Sequence, residues 1–364
     1  MKILHVVPGL NEKGNGIAVA AKLIAQEQAK SGTEVEVVET REFVSSSVQP
    51  SSFNLQPLSA YAEIWVHSMW LPQTMRACWK VLRAKKLNHD SPPPPNISTS
   101  SPSLVRMTHA NLDPVRLAYH GWKKRLVGPI ERWLFSKTDR VVVTCAAEKA
   151  WCERWGLKNE FEVVDLKRFF KLSGEGEEVH GAHSAQAVRT PLLHWERPLH
   201  LGRPLRVLYL GRRHPLKGVR FLERAVEELN GEAESFPLQK RDEPSLLRSG
   251  RDSASPLVQL RIVSDHFGEK LERDWEWCDV LCLPTLSENF GLVVAEALER
   301  EKRVIVTDGA PAWEPDEGDE SKTEKGKVKK NGGQLLYLRG YRDGTDEERV
   351  KLLKAACTTL AGSG

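Results

Sequence analysis

Short apolar runs alternate along the chain with longer stretches in which apolar residues recur at helical spacing. The run KILHVVP is followed by GIAVAAKLIAQEQAKSG, which has helical spacing and ends at a glycine, and then by the apolar run TEVEVVET. Such runs predict buried strands, and the helical spacing predicts amphipathic helices. Strand and helix in turn indicate βαβ units and parallel sheets.

The alternation of strand and helix occurs in two separate series. The first series continues with AEIWVHS, SLVRMTHA and DRVVVTC, and the second contains RVLYLGR, VQLRIVS, CDVLCLP and KRVIVTD. A chain of 364 residues is also longer than one hydrophobic core usually supports. We therefore predict an α/β protein with two doubly wound, Rossmann-like domains. The predicted segments are a first domain at 1–170, a linker region at 171–204, a second domain at 205–340 and a C-terminal helix at 341–364.

Three stretches interrupt this pattern. They lie at 88–103, 231–256 and 314–333 and are rich in proline, serine and charged residues. The linker region likewise has no hydrophobic period. This composition predicts surface loops inserted between the elements of the two domains.

The composition narrows the class of protein. No apolar run approaches the length of a membrane span, and the N-terminal run enters a glycine-bearing loop without a small-residue cleavage site, so we interpret it as a first strand and not a signal peptide. The six cysteines form no Cys-x-x-Cys pair. This spacing argues against zinc and favours a reducing, cytoplasmic setting.

Positive charge is concentrated in one part of the first predicted domain. The net charge is +4, but residues 71–140 contain thirteen Lys and Arg against four Asp and Glu, with Trp79 and Trp122 among them. One interpretation is a solvated helix face. The other is a surface that meets a phosphate-rich acceptor or an anionic membrane leaflet. Nucleic acid is a weaker hypothesis because no recognised binding motif accompanies the charge.

Candidate binding residues follow the predicted strands, where ligands of doubly wound sheets bind. Gly9, Gly14 and Gly16 open the first helix, and Arg212 and Lys217 follow RVLYLG. Glycines let backbone amides approach an anion, and the two cations suit the two phosphates of a nucleotide diphosphate. An ordinary turn and two exposed basic residues are equally compatible with these spacings.

The stretch TLSENFGLVVAEAL follows the strand-like run DVLCLP. Its amides at 289–292 lie at a predicted helix start and suit phosphate or sugar oxygens. Glu288, just before the helix, suits sugar hydroxyls, and Glu296, inside the helix, suits the vicinal hydroxyls of a ribose. By spacing alone, a helix-entry acid and a solvated glutamate are the favoured explanation of the two residues.

Taken together, these residues resemble the family 4 glycosyltransferases of the GT-B fold. That family has a Glu-x7-Glu motif within P-S-x-x-E-x-F-G-x-x-x-x-E-A and an upstream G-R-x-x-x-x-K-G, and this chain has PTLSENFGLVVAEA and GRRHPLKG. Thr285 replaces the usual serine of the first motif. The resemblance implies two Rossmann-like domains that face each other across a cleft. It also implies that the last helix is where the chain crosses back toward the first domain, although that helix is short.

The resemblance implies a role for each matching residue. Arg212 and Lys217 would hold the donor diphosphate, Glu288 would contact the transferred sugar, and Glu296 would bind the ribose. His109 follows a strand where many members have a histidine, and it would lie near the reacting centre. The remaining donor-binding residues would be Gly14, Gly16, Asn289, Phe290, Gly291 and Leu292.

The implied reaction is transfer of a sugar from a UDP- or GDP-sugar to a glycan or lipid-linked acceptor, with retention of anomeric configuration. Arg212 and Lys217 would neutralise the leaving diphosphate, and the sequence has no Asp-x-Asp, so no metal or other cofactor is expected. Cell-envelope polysaccharide or lipopolysaccharide synthesis on the inner membrane face fits the basic region. The alternatives are a non-catalytic nucleotide- or carbohydrate-binding protein, or a GT-B epimerase or phosphorylase.

Overall fold

The computed structural model describes most of the chain and divides it into two compact units. The described residues are 1–10, 15–45, 58–90, 101–119, 121–170, 203–235, 256–315, 328–331 and 335–361. The first unit comprises Met1–Phe169 and the second Phe170–Gly364. The boundary lies at the end of the predicted first domain.

The first unit is a parallel α/β sheet, as its sequence pattern predicts. Its strands follow the order β2-β1-β3-β4-β5-β6, and all of the pairs are parallel. The elements are β1 (Lys2–Val7), α1 (Gly16–Lys30), β2 (Glu34–Glu39), α2 (Thr40–Ser45), β3 (Glu63–His67), α3 (Pro72–Asp90), β4 (Ser103–Met107), α4 (Pro114–Ala118), α5 (Gly121–Ser136), β5 (Arg140–Val143), α6 (Ala146–Arg154) and β6 (Glu160–Val163).

The second unit repeats this architecture with a different edge. The strand order is β11-β12-β10-β9-β7-β8, and only the β11–β12 pair is antiparallel among the pairs that the structure describes. The elements are β7 (Leu205–Leu210), α7 (Val219–Ser235), β8 (Val258–Val263), α8 (Glu269–Trp277), β9 (Val280–Leu283), α9 (Leu292–Glu299), β10 (Arg303–Thr307), β11 (Val328–Asn331), β12 (Leu335–Leu338) and α10 (Asp346–Ala361).

The strands are buried because helices cover them. All four residues of β9 and all four of β12 are buried, as are the last five residues of β1. Continuous apolar strands of this kind are typical of parallel sheets with two covered faces. Helix α10 packs on α7 and buries its apolar side, including Leu353 and Leu360. This packing assigns α10 to the second unit, and a role in crossing back to the first unit stays a prediction.

Some elements differ from the sequence-based expectations. The segment predicted as a loop at 314–333 contains β11, which pairs with β12, while α3 and α7 extend into the segments predicted as loops at 88–103 and 231–256. Residues 91–100, 236–255, 316–327 and 332–333 of these segments and residues 171–202 of the linker region lie outside the described residues. No helix in the described ranges is long and apolar enough to cross a bilayer.

Candidate active site

The loops after β7 and β9 meet at the carboxyl edge of the second sheet. Strand β7 pairs with β8 on one side and with β9 on the other, so the strand order reverses direction between β7 and β9. Ligands of doubly wound sheets bind beyond the carboxyl ends of the strands at such a switch point. The two motifs of the sequence lie in these two loops, at 211–218 and 284–291.

Backbone contacts hold the two loops together. The Leu286 amide donates to the Leu216 carbonyl at 2.8 Å, and the Thr285 hydroxyl donates to the same carbonyl at 3.0 Å. Gly218 has φ of +65°, and a Cβ there would lie 1.8 Å from the Pro284 carbonyl oxygen. The last glycine of GRRHPLKG is therefore required by the close approach of the second loop.

The loop after β10 joins the same assembly. The Glu288 amide donates to the Gly309 carbonyl at 2.8 Å. A Cβ at Gly309 would lie 2.1 Å from the Thr285 carbonyl oxygen, so this approach also excludes a side chain. The Asp308 carboxylate accepts from the amides of Gly340 and Arg342, each at 2.7 Å. The carboxyl edge is thus a connected network that fixes the position of the Glu288 backbone.

Lys217 and Glu288 form an ion pair at this edge. The Lys217 ammonium contacts Oε2 of Glu288, and the side chains are 20% and 15% exposed. Oε1 of Glu288 accepts from the Asn289 amide at 3.0 Å. A pair that is largely shielded from water is stronger than a surface pair, but it persists only if its remaining hydrogen bonds are made.

The resemblance gives Lys217 a contact with the diphosphate and Glu288 a contact with the transferred sugar. In the structure these two side chains contact each other. Glu288 also engages the Asn289 amide, which was expected to be open to a ligand. The carboxylate folds back onto the next amide because the two groups are neighbours in the chain. A phosphate that reaches Lys217 must therefore share the ammonium with Glu288 or displace the carboxylate.

Arg212 lies at the mouth of the same loop and is exposed. The Tyr209 hydroxyl donates to the Arg212 carbonyl at 2.9 Å, which fixes the backbone. Within the part of the chain that the structure describes, the Arg212 guanidinium forms no ion pair, whereas neighbouring Arg213 pairs with Glu223 at 2.8 Å. Arg212 is therefore the cation of this loop that is most open to an anion.

Helix α9 presents the second glutamate of the motif. It begins at Leu292, after Gly291 in the left-handed region with φ of +73°. Glu296 lies about one turn inside and is half-buried. Burial raises the pKa of the Glu296 carboxyl above its ordinary value, while Arg300 opposes the shift. A shielded carboxylate of this kind is suited to accept hydrogen bonds from hydroxyl groups.

Phe290 supports the site from below and is 2% exposed. Its carbonyl accepts from the Trp313 indole, and its ring lies 5.0 Å from that of Trp313 and 6.1 Å from that of Phe170. The structure therefore places Phe290 in the core, where it holds the loop after β9 from beneath.

His109 lies at the carboxyl edge of the first sheet, just after β4. It is 2% exposed, and both His109 and Ala110 have left-handed backbones with φ of +52° and +54°. The buried Glu148 carboxylate accepts hydrogen bonds from the Thr108 hydroxyl at 2.6 Å and from the Ala110 amide. These bonds flank His109 on both sides and hold its uncommon backbone conformation.

Two further histidines lie beside His109 and were not recognised as its partners from the sequence. His67 Nδ1 lies 3.0 Å from His109 Nε2, and His67 Nε2 lies 2.9 Å from His5 Nδ1. His5 is fully buried, and its Nε2 lies 2.8 Å from Gln28 Oε1. The signal in the sequence was a histidine in or just after three predicted parallel strands, but their adjacency depends on the strand order.

The glycine loop after β1 is described only in part. Gly16 is the first residue of α1, and the Asn15 side chain accepts from the Ala18 amide at 3.4 Å. Asn15 also donates to the Gly9 carbonyl at 2.9 Å, which joins the two ends of the loop. Gly14 lies outside the described residues.

The comparisons with known proteins agree with this architecture. Residues 15–165 match the model of the glycosyl transferase 4-like domain. Sucrose-phosphate synthase from Thermosynechococcus elongatus superposes with a TM-score of 0.54 and 13% identity, covering 100% of this chain and 92% of that one. An alpha,alpha-trehalose-phosphate synthase from Burkholderia vietnamiensis gives a TM-score of 0.49 and 11% identity, with 100% and 95% covered. No curated protein sequence matches the chain.

Two doubly wound domains with these motifs on the second have the architecture of the GT-B glycosyltransferases. The family match falls within the first unit and is independent of the Glu-x7-Glu motif. The resemblance to the family 4 glycosyltransferases seen in the sequence is supported by this match over residues 15–165.

Proposed function

We propose that the protein transfers a sugar from a nucleotide-diphosphate donor to a hydroxyl group with retention of configuration. The observation that carries this proposal is the Lys217–Glu288 pair, which brings both motifs together at the switch point of the second sheet. Arg212 and Lys217 supply positive charge for the diphosphate, and Glu288 and Glu296 accept from sugar and ribose hydroxyls. UDP- and GDP-sugars are the donors that we expect.

In the proposed reaction, the bond between the anomeric carbon and the diphosphate oxygen breaks as the acceptor oxygen attacks from the same face. The acceptor proton passes to the departing phosphate, so no carboxylate nucleophile is required. Arg212 and Lys217 stabilise the negative charge that develops on the leaving group. Because these two side chains neutralise that charge, we propose that transfer needs no metal. His109 contacts the donor sugar or its leaving oxygen.

A thermal-shift screen with UDP-, GDP- and ADP-sugars tests donor binding. A ligand at a hundred times its dissociation constant stabilises the native state by about 2.7 kcal/mol. We expect one nucleotide class to raise the melting temperature, and we expect Lys217→Ala and Glu296→Ala to abolish that shift. The matched control is Arg213→Ala, because Arg213 lies in the same loop but pairs with Glu223.

Turnover separates a transferase from a non-catalytic binding protein on the same fold. The donor identified by the screen is incubated with a panel of glycan and lipid-linked acceptors, and the release of nucleotide diphosphate and the glycosylated product are measured. A thermal shift without any product favours the binding protein. Full binding in both the Lys217 and the Glu296 variants overturns the site assignment.

We propose that the acceptor lies at an anionic membrane surface, on the cytoplasmic face. Helices α3 and α5 lie side by side and expose a patch of large apolar side chains, with Trp79 and Trp133 in ring contact at 5.4 Å. The patch comprises Trp79, Trp122, Leu126, Ile130 and Trp133, which are between 44% and 70% exposed.

Basic residues lie on the same two helices as this patch. They are Arg76, Arg83, Lys123, Lys124, Arg125 and Arg132. Tryptophan and leucine insert at the boundary between lipid headgroups and acyl chains, while Lys and Arg attract anionic lipid. The combination favours a membrane leaflet over a purely polar partner, and it supports a lipid-linked acceptor of cell-envelope polysaccharide or lipopolysaccharide synthesis.

Vesicle sedimentation tests this surface. We expect the protein to bind vesicles that contain phosphatidylglycerol and not pure phosphatidylcholine, and the double variant Trp79→Ala/Trp122→Ala to bind at least about tenfold more weakly. Phe267→Ala is the control, because Phe267 is also an exposed aromatic residue but lies in the second unit. Indifference of the wild type to anionic lipid removes the membrane from the proposal.

A further inference from the structure

Three buried histidines and one glutamine form a continuous hydrogen-bonded chain in the first unit, which we call the histidine chain. Its members are Gln28 on α1, His5 on β1, His67 on β3 and His109 after β4. The links measure 2.8 Å from Gln28 Oε1 to His5 Nε2, 2.9 Å from His5 Nδ1 to His67 Nε2, and 3.0 Å from His67 Nδ1 to His109 Nε2. The chain crosses three neighbouring strands of one sheet.

The three rings are neutral at neutral pH. His5 and His67 are fully buried, and His109 is 2% exposed. Burial lowers the pKa of His5 to about 4 and that of His109 to about 3, the latter with a contribution from Arg116. Burial likewise lowers the pKa of His67 well below its ordinary value, and the neighbouring histidines add to the shift. A neutral imidazole donates from one ring nitrogen and accepts at the other.

In a chain of neutral rings, all of the hydrogen bonds run the same way, because each ring donates from one nitrogen and accepts at the other. The Gln28 carbonyl oxygen accepts from His5 Nε2, so His5 Nδ1 bears no proton and accepts from His67 Nε2. His67 Nδ1 then accepts from His109 Nε2. All three rings are thereby held as the Nε2–H tautomer. Gln28 therefore sets the tautomer of His109, although three hydrogen bonds separate the two residues.

The tautomer of His109 decides what it can do for a substrate. With the proton on Nε2, the other ring nitrogen, Nδ1, is an acceptor and suits a hydroxyl that donates. The reverse tautomer places an N–H at Nδ1 and suits a phosphate or sugar oxygen that accepts. A partner on the far nitrogen that fixes a catalytic histidine's tautomer is a general device of enzyme sites, and the wrong tautomer lowers turnover strongly.

We propose that His5, His67 and Gln28 are positioning residues that hold His109 as the Nε2–H tautomer, so that Nδ1 accepts a hydrogen bond from a substrate hydroxyl. The substrate contact rests on the proposed function, whereas the tautomer is a property of the chain itself. His109 is the member that meets substrate. The other three act through it.

Long-range ¹H–¹⁵N correlation spectra of the full-length protein with ¹⁵N-labelled histidine test the tautomer directly. We expect His109 to show a protonated Nε2 and an unprotonated Nδ1. Gln28→Leu removes the acceptor that sets the direction, and we expect the His109 resonances to shift toward a mixture of tautomers. Gln28→Glu provides an acceptor without a donor, and we expect it to restore the Nε2–H form.

The control for these spectra is Gln26→Leu, an exposed glutamine on the same helix that we expect to leave the His109 resonances unchanged. His67→Phe breaks the chain one link from His109 and gives a second way to release the tautomer. Because Gln28 is only half-buried, its variants are expected to fold. A wild-type His109 with the proton on Nδ1, or His109 resonances that ignore Gln28→Leu, overturns the proposal.

Kinetics separate this proposal from the proposed function. We expect Gln28→Leu to lower kcat about tenfold with little change in KM for the donor, and Gln28→Glu to recover most of the loss. If no donor and acceptor pair gives a product, the proposed function fails while the spectra still test the chain. If transfer occurs and Gln28→Leu leaves both kcat and the His109 resonances unchanged, the histidine chain fails while the transferase stands.

Discussion

The carboxyl edges of the two sheets share a reversal of strand order but carry different chemistry. In both sheets, the strand order reverses beside the first strand of the unit. The second edge is ionic and partly open, with Arg212 exposed and Lys217 paired with Glu288. At the first edge, by contrast, His5, His67 and His109 are buried and uncharged, with the Glu148 carboxylate bonded to the backbone beside them. The comparison teaches that one backbone plan can provide charge for an anion or a fixed set of neutral donors and acceptors.

This difference fits the two parts of an activated sugar. A nucleotide diphosphate carries negative charge and requires cations, whereas a sugar ring presents hydroxyls that are read by directional hydrogen bonds. Under the proposed function, the cations of the second unit suit the charged part, and the neutral His109 of the first unit suits a hydroxyl.

The substitution Gly218→Ala is expected to disrupt the packing of the loops after β7 and β9. The new Cβ would lie 1.8 Å from the Pro284 carbonyl at a backbone φ of +65°, so we expect a loss of more than about 3 kcal/mol in the free energy of unfolding. Denaturant unfolding measures it. Gly231→Ala is the matched control, because that glycine lies in α7 with no atom within 4 Å of an added Cβ. We expect the control to gain up to about 1 kcal/mol, and equal stabilities of the two variants would contradict the steric argument.

Mild acid is expected to destabilise the first sheet, where the three histidines are buried. The unfolded histidines have a pKa near 6.5, whereas burial holds His5 at about 4 and His109 at about 3. Between the folded and the unfolded pKa values, the unfolded chain therefore binds more protons than the folded chain. The free energy of unfolding is highest above pH 6.5 and decreases as the pH falls below that value. At pH 5 the loss is about 2 kcal/mol for each such histidine.

Hydrogen exchange with mass spectrometry measures this effect by region. Between pH 7 and pH 5, after correction for intrinsic exchange rates, we expect protection of β1 and β3 to fall. The control is His5→Gln. Because glutamine does not titrate, we expect the protection of this variant to depend less on pH than that of the wild type. Unchanged protection of β1 in the wild type at pH 5 would show that the histidines are not held neutral by folding.

The substitution His109→Ala is expected to separate binding from turnover. Because the diphosphate contacts that we propose lie in the second unit, nucleotide affinity measured by calorimetry stays within about twofold, while kcat falls at least about tenfold. His109→Gln, which keeps more of the side-chain volume, guards against a simple packing defect. Loss of nucleotide affinity in both variants would contradict the division between the two edges.

Much of the fold was predictable because the strands are continuous apolar runs. The runs that begin at Lys2 and at Val280 both become buried parallel strands. Three strands were missed, and one of them, β12 at Leu335–Leu338, is a run of only four apolar residues that follows the segment predicted as a loop. The other two were missed because of their polarity. Strand β6 at Glu160–Val163 is polar and half-exposed at the edge of its sheet, and β11 lies in a charged stretch with no apolar alternation.

The candidate site was predictable in its residues but not in its contacts. Motif spacing identified Lys217 and Glu288, yet their pairing depends on two loops seventy-one positions apart. The histidine chain was not predicted, because adjacency of His5, His67 and His109 follows from strand order and not from separation in the sequence. Gly218 was part of a motif, and only the approach of Pro284 explains it.

The hydrogen bonds from Leu286 and Thr285 to the Leu216 carbonyl have a kinetic consequence. Because hydrogen bonds already fix the main chain of the loops after β7 and β9, an incoming diphosphate has only to turn the side chains of Lys217 and Glu288, a local motion that is faster than a rearrangement of loops. We therefore expect nucleotide capture by the second unit to follow a single exponential in stopped-flow traces, with a rate proportional to concentration and limited by diffusion and orientation.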